Sequence, residues 1–244
     1  MFPLGDDNHG ARGVPLVTIA LVAINSLVFL YQMGLPVEEL QKFIFTYGMI
    51  PAEIEQGQNT FTLLTSMFVH GGFAHVFGNM LFLWIFGDNI EQRFGSILYL
   101  LFYLGCGLAA SYAHIATNSG SVIPSVGASG AISGVMGAYV LLYPLNRVRV
   151  LVWFWGIFYV PAFIFLGVWF LTQLMNGLVQ LRVATAQTTG VAFWAHIGGF
   201  VAGLGAGAIL GVLRRDPPRA PLEAGRWVQQ PRRRRDGPFG EWGW

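Results

Sequence analysis

Acidic residues are missing from the middle of this chain. Between Glu91 and Asp216 the 244-residue sequence holds no Asp or Glu at all. Charged residues make up 11% of the whole, against about 25% in soluble globular domains. That gap excludes a soluble domain of ordinary kind, which would need charge of both signs over its surface. One cysteine, Cys106, is present, so no intramolecular disulfide can form and the redox compartment stays open. No H-E-x-x-H zinc motif occurs, and His70 and His75, five residues apart, do not share a helix face. No apolar segment carries the paired aspartates of an aspartyl protease. Neither metal nor cofactor is expected, and no nucleic-acid partner.

What the chain does have is apolar length. Its composition is 54% hydrophobic and its mean hydropathy is +0.55. A helix needs roughly 20 apolar residues to cross about 30 Å of hydrocarbon. Six segments qualify: 14–33, 73–86 with the less apolar turn before Arg93, 96–116, 126–143, 160–178 and 191–213. The expected fold is therefore an all-α polytopic membrane protein with six transmembrane helices. The run from Val148 to Leu178 is too long for one span, and Pro161 should break or kink it. That leaves 148–159 as an aromatic lead-in at the interface, with Trp153, Trp155 and Tyr159 as a belt. The first segment lacks a small-residue cleavage site after it and reads as a retained helix.

Positive charge orients the bundle. With the N-terminus inside, the inner positions hold Arg12, Arg93, Arg147, Arg149 and eight arginines from Arg214 to Arg235, while the outer ones hold Lys42 and Arg182. Twelve against two puts both termini in the cytoplasm. The expected organisation is a cytoplasmic segment 1–13, a membrane domain 14–213 and a basic, disordered tail 214–244. The long outer loop 34–72 should pack on the helices. The basic run Arg232–Arg235 either lies on anionic lipid headgroups or, the favoured reading, simply retains the tail inside.

Polar residues inside a membrane are costly and default to functional candidates. Ser129, His196 and His75 each lie 18 residues before an arginine (Arg147, Arg214 and Arg93) that marks a cytoplasmic end. At 1.5 Å per residue all three sit about 27 Å above those ends. Asn79 follows His75 by four residues and shares its helix face. A serine with a histidine is a nucleophile–base pair. The carboxylate that usually orients the histidine has no candidate here, so the pair would act as a dyad. Free backbone N–H groups at the head of the fourth helix can face an anion, and Asn79 and His75 can add side-chain donors for an oxyanion. Gly127, Gly130 and Gly134 around Ser129, with Gly198, Gly199 and Gly203 after His196, let the fourth and sixth helices approach closely. Ser133 should bond back to a carbonyl of its own helix, and His70 should tie down the outer loop.

Three motifs in order, "HVFGNMLFLWIFGDNIEQRFG", "GASG" at the head of a helix and "AHIGGFVAG" on a later one, resemble the rhomboid intramembrane serine proteases. The resemblance spans Phe61 to Gly207 and implies a rhomboid-like helix bundle. It implies Ser129 as nucleophile, His196 as general base, and His75 and Asn79 as the oxyanion side chains of the family's H-x-x-x-N. Gly127 and Gly130 match its flanking glycines, and Glu91-Gln92-Arg93 its structural E-x-R. The family's Trp-Arg pair in the first outer loop stands here as Phe61-Thr62, and the tyrosine that some members carry one turn after the serine as Ser133. The implied activity is cleavage of single-span membrane proteins in or near their membrane helix, the lipid bilayer being the other partner and a bacterial cell membrane the expected location. The competing readings are a non-proteolytic binding or quality-control factor on the same scaffold, which needs neither serine nor histidine, and a small transporter, which the uncharged span cores disfavour.

Overall fold

The structure, a computed structural model, describes residues 2–6, 13–182 and 191–213. Arg12, residues 183–190 of the expected loop 179–190 and the basic tail with Arg232–Arg235 lie outside the described residues. In chain order the elements are β1 (Phe2–Asp6), α1 (Leu16–Met33), α2 (Val37–Tyr47), α3 (Pro51–Glu55), α4 (Thr62–Thr65), α5 (Phe73–Phe94), α6 (Ser96–Thr117), α7 (Ser129–Leu142), β2 (Arg147–Val152), β3 (Gly156–Pro161), α8 (Ala162–Arg182) and α9 (Phe193–Leu213). Apolar runs become helices because lipid offers no partner for a backbone N–H or C=O, so each segment must satisfy its own.

Among the described residues, length and composition alone qualify four helices to cross a membrane: α1, α6, α8 and α9. A fifth counts if the turns at Thr62–Phe68 and α5, bent by 94°, form one broken span. The fourth expected span, α7, has only 14 residues, about 21 Å of helix. The physical reason lies in its surroundings. All ten residues from Gly130 to Tyr139 are buried, so α7 is wrapped by other helices and its length need not match the lipid. The chain leaves the helix at Tyr143, just before Pro144.

One other expectation is corrected. The protein is mostly helical but not all-α: β1, β2 and β3 form an antiparallel sheet with β2 in the middle. In β2 the arginines 147 and 149 are exposed while Val148 and Val150 are fully buried, the period-two alternation of a strand. Hydropathy alone could not tell this short run from an interfacial lead-in. Pro161 breaks the long apolar run, the first of the two expected outcomes. It ends β3, paired with Arg147, and α8 starts cleanly after it. At the N-terminal end β1 joins the sheet, and the Asp6 carboxylate accepts from the Tyr139 hydroxyl and, at 2.9 Å, from Asn89 Nδ2.

One end of the bundle gathers Arg93, Arg147 and Arg149. There Glu91 caps α1, accepting from the backbone N–H of Val17 at 2.9 Å and of Thr18 at 2.8 Å, and from the hydroxyls of Thr18 and Ser96. Arg93 donates to the Gly211 carbonyl at 3.2 Å, tying α5 to α9. A single residue, Gly95 at φ +78°, turns α5 into α6, a conformation costly for any residue with a Cβ. At the opposite end the segment 34–72 packs down as expected. Met49 bridges to Ser125 and clusters with Leu63 and Ile115. Gln32 brackets His70, donating to its carbonyl at 2.9 Å and accepting its N–H at 3.0 Å.

Candidate active site

The site forms where α7 and α9 touch. Gly130 and Gly134 on α7 face Gly199 and Gly203 on α9, each pair four residues apart and so stacked along one helix face. A Cβ on Gly199 would meet the Gly130 carbonyl oxygen, and one on Gly203 the Gly134 carbonyl oxygen. These are backbone-to-backbone contacts that only glycine permits, the small-residue packing that membrane helices use in place of hydrophobic force. Two expected packing glycines act elsewhere. Gly198 faces Ala113 of α6, and Gly127 lies just before α7 against His75 and Asn79.

The seam brings the head of α7 against the first turn of α9. Ser129 Oγ lies 2.8 Å from His196 Nε2, a length at which the hydroxyl donates to an unprotonated imidazole nitrogen. Such a pair can deliver an alkoxide-like oxygen to a carbonyl as the histidine takes the proton. Ser133 Oγ donates to the Ser129 carbonyl at 2.6 Å, the expected back-bond.

His75 and Asn79 stand across from this pair on α5. The backbone N–H of Gly71 points at His75 Nδ1 at 3.4 Å, which leaves Nε2 as the N–H side. That Nε2 faces Gly127, whose missing side chain opens the space; a Cβ there would lie 2.6 Å from it and 3.5 Å from Asn79 Nδ2. Gly127 also sits at φ +123°, so two constraints demand glycine. Asn79 Nδ2 lies 2.9 Å from His70 Nε2. Burial, with His75 beside it, pushes His70 down to about 4, so its ring is neutral at pH 7 and Nε2 can accept from Asn79. His70 therefore anchors the loop and also aims Asn79. No side chain caps α7, and its first-turn N–H groups have no partner within the helix. All four polar side chains line one cavity of ≈ 1140 Å³.

Two contacts were not anticipated from the sequence. His196 Nδ1 lies 2.8 Å from Gln173 Oε1 on α8. The Trp169 ring, one turn earlier on the same helix, lies over the imidazole with centroids 5.9 Å apart and planes at 37°. The signals available were the four-residue spacing of Trp169 and Gln173 and the polar stripe Gln173, Asn176 and Gln180 at helical spacing.

Fold and helices together are those of an integral membrane protein, mostly α-helical. The chain belongs to the rhomboid family: the Rhomboid domain model matches residues 57–213. Among curated proteins it is 32% identical over 202 residues to "Rhomboid protease GluP" of Bacillus subtilis (strain 168), covering 82% of this chain and 36% of that one. It is 32% identical over 158 residues to "RHOMBOID-like protein 6, mitochondrial" of Arabidopsis thaliana, covering 65% and 46%. It is also 28% identical over 131 residues to "Putative rhomboid protease YdcA" of Bacillus subtilis, covering 54% and 64%. The chain thus spans between about a third and two thirds of the length of these relatives.

Proposed function

We propose that this protein is an intramembrane serine endopeptidase that cleaves single-span membrane proteins in or near their membrane helix, with Ser129 as nucleophile and His196 as general base. The observation that carries the reading is the 2.8 Å contact between Ser129 Oγ and His196 Nε2 inside a rhomboid domain. In the first step Ser129 Oγ attacks the scissile carbonyl carbon while its proton passes to His196 Nε2. The carbonyl oxygen becomes an oxyanion, met by His75 Nε2–H, Asn79 Nδ2–H and the free N–H groups opening α7. Collapse of the tetrahedral intermediate expels the amine, which takes the proton from His196 and leaves an acyl-enzyme on Ser129. Water then repeats the sequence, its proton going to His196, and frees the acid and Ser129.

The same proposal includes six membrane-crossing helices (α1, α5, α6, α7, α8 and α9), with α7 shielded inside. Both termini are cytoplasmic, because the end with Arg93, Arg147 and Arg149 carries the positive charge that remains on the inner side. It places the protein in a bacterial cell membrane, with the membrane domain at 14–213 followed by a basic tail.

The test is Ser129→Ala in the full chain, reconstituted with a single-span substrate. Cleavage should fall below a thousandth of the wild-type rate while thermal stability holds, since one small oxygen is lost. Cleavage at a tenth of the wild-type rate or more refutes the assignment and favours a different catalytic group. A wild-type protein that binds such substrates without cutting them favours the binding factor.

A further inference from the structure

We propose that Gln173 is the positioning residue of His196, taking the place that a carboxylate holds in most serine–histidine hydrolases. The inference rests on the dyad reading above. No Asp or Glu occurs from Gln92 to Arg215, and Asp88 and Glu91 belong to the arginine end of α5, where Glu91 is occupied in capping α1. Among the described residues no carboxylate is hydrogen-bonded to the base. It is nonetheless held at both ring nitrogens, Nε2 by Ser129 and Nδ1 by Gln173, each at 2.8 Å.

What matters is which nitrogen holds the proton. An amide oxygen only accepts, so a Gln173 Oε1 facing Nδ1 requires Nδ1–H and leaves the Nε2 lone pair facing Ser129. That is the tautomer a general base needs. A flipped amide would donate to Nδ1, place the proton on Nε2 and disable the base. Thr172 decides the orientation. Its hydroxyl proton is directed to the Trp169 carbonyl at 2.6 Å, so its oxygen can only accept from the remaining amide group of Gln173, 3.4 Å away. That group is therefore the NH₂, and Oε1 faces the histidine.

The remaining support for the ring also comes from α8. Ser133, one turn after the nucleophile, is folded back on the Ser129 carbonyl and gives the imidazole nothing. Trp169 covers its face instead. Trp194 Nε1 donates to the Gly177 carbonyl at 3.2 Å and ties α8 to α9 one turn beyond Gln173. As Ser129 gives its proton to Nε2, the imidazolium that forms keeps its Nδ1–H against the Gln173 carbonyl dipole. Alignment of the base thus depends on α8 being seated on α9.

The experiment uses the full chain in proteoliposomes with a single-span substrate and, separately, a small fluorophosphonate. Three variants are compared: Gln173→Met, of similar length but with no acceptor; Gln173→Glu, which restores an acceptor; and Ser129→Ala as the blank. Wrong-tautomer variants of serine–histidine enzymes lose large factors in kcat, and for a neutral amide we expect a loss of roughly 10–100-fold in Gln173→Met. KM should stay within about twofold, fluorophosphonate labelling should slow in parallel, and Gln173→Glu should recover to within about threefold of wild type. If Gln173→Met does not fold, Gln173→Leu carries the same expectation. Wild-type kcat in the apolar variant overturns the inference, as does an equal loss in Gln173→Glu, which would mark a packing role. If the wild type is not labelled at Ser129, the dyad reading itself fails and takes this one with it.

Discussion

The seam between α7 and α9 and the face of α8 are built on opposite terms, although both hold His196. In the seam glycines put backbone against backbone, and ten consecutive residues of α7 are shut away from the surface. α8 is the least buried of the four helices that qualify as spans by length, with 17% of its apolar window covered against 39% for α6. It presents bulky residues such as Val168, Leu171 and Met175 outward. Ser129 and His196 are held to each other by close backbone contact, while the second ring nitrogen is held by a side chain of a less buried helix. Rigid contact suits the reacting pair.

The comparison is broken most severely at Gly203. Gly203→Ala would drive a Cβ into the carbonyl oxygen, carbon and Cα of Gly134, all backbone atoms. Overpacking of a tight core costs about 1–3 kcal/mol or more. We expect a clear fall in the thermal midpoint in detergent and loss of cleavage, because the close contact of Ser129 with His196 cannot survive a spread seam. Unchanged melting would show that the seam yields after all.

A smaller effect is expected where α8 meets the histidine. Trp169→Leu removes the ring that lies over His196, an aromatic contact worth about 0.5–1.5 kcal/mol. That corresponds to roughly a 2–10-fold loss in kcat, less than for Gln173→Met. Single-turnover kinetics would read it, and a loss beyond a hundredfold would mean that the chemistry depends on α8 as strictly as on the seam.

The smallest effect is expected on α8 away from the histidine. A Cβ at Gly167 meets nothing within 4 Å. Gly167→Ala should leave cleavage unchanged and stabilise the protein by no more than about 1 kcal/mol, the helix-propensity difference. A destabilised variant would put a neighbour against that face and end the contrast with Gly203.

Parts of the site are legible in the sequence alone. Equal spacing from three arginines places Ser129, His196 and His75 at one level, and the four-residue intervals of Gly130–Gly134 and Gly199–Gly203 already describe two complementary faces. The depth count for Ser129 is right for an incomplete reason, since residues 143–147 leave the helix and α7 stops at Leu142. The glycine register holds the serine at the level of His196. Gln173, Asn176 and Gln180 mark one polar face of α8 in the sequence, but which residue of that face reaches His196 depends on how α8 packs on α9. The sheet is hidden because a run of valines, leucines and aromatics reads the same in hydropathy whether it pairs as a strand or lies as a helix.

By itself, then, the sequence determined that the chain enters lipid, where its apolar segments start and stop, and which few polar side chains share a level. Transfer of apolar length and exclusion of charge are properties of each segment alone, with little dependence on its neighbours. Tertiary structure alone decided that Gln173 faces His196 Nδ1, that Gly127 opens toward His75 and Asn79, and that Asp6 reaches Tyr139. Those contacts depend on how each helix is rotated about its axis. In a membrane that rotation is set by side-to-side packing of small and polar groups, which no single segment specifies.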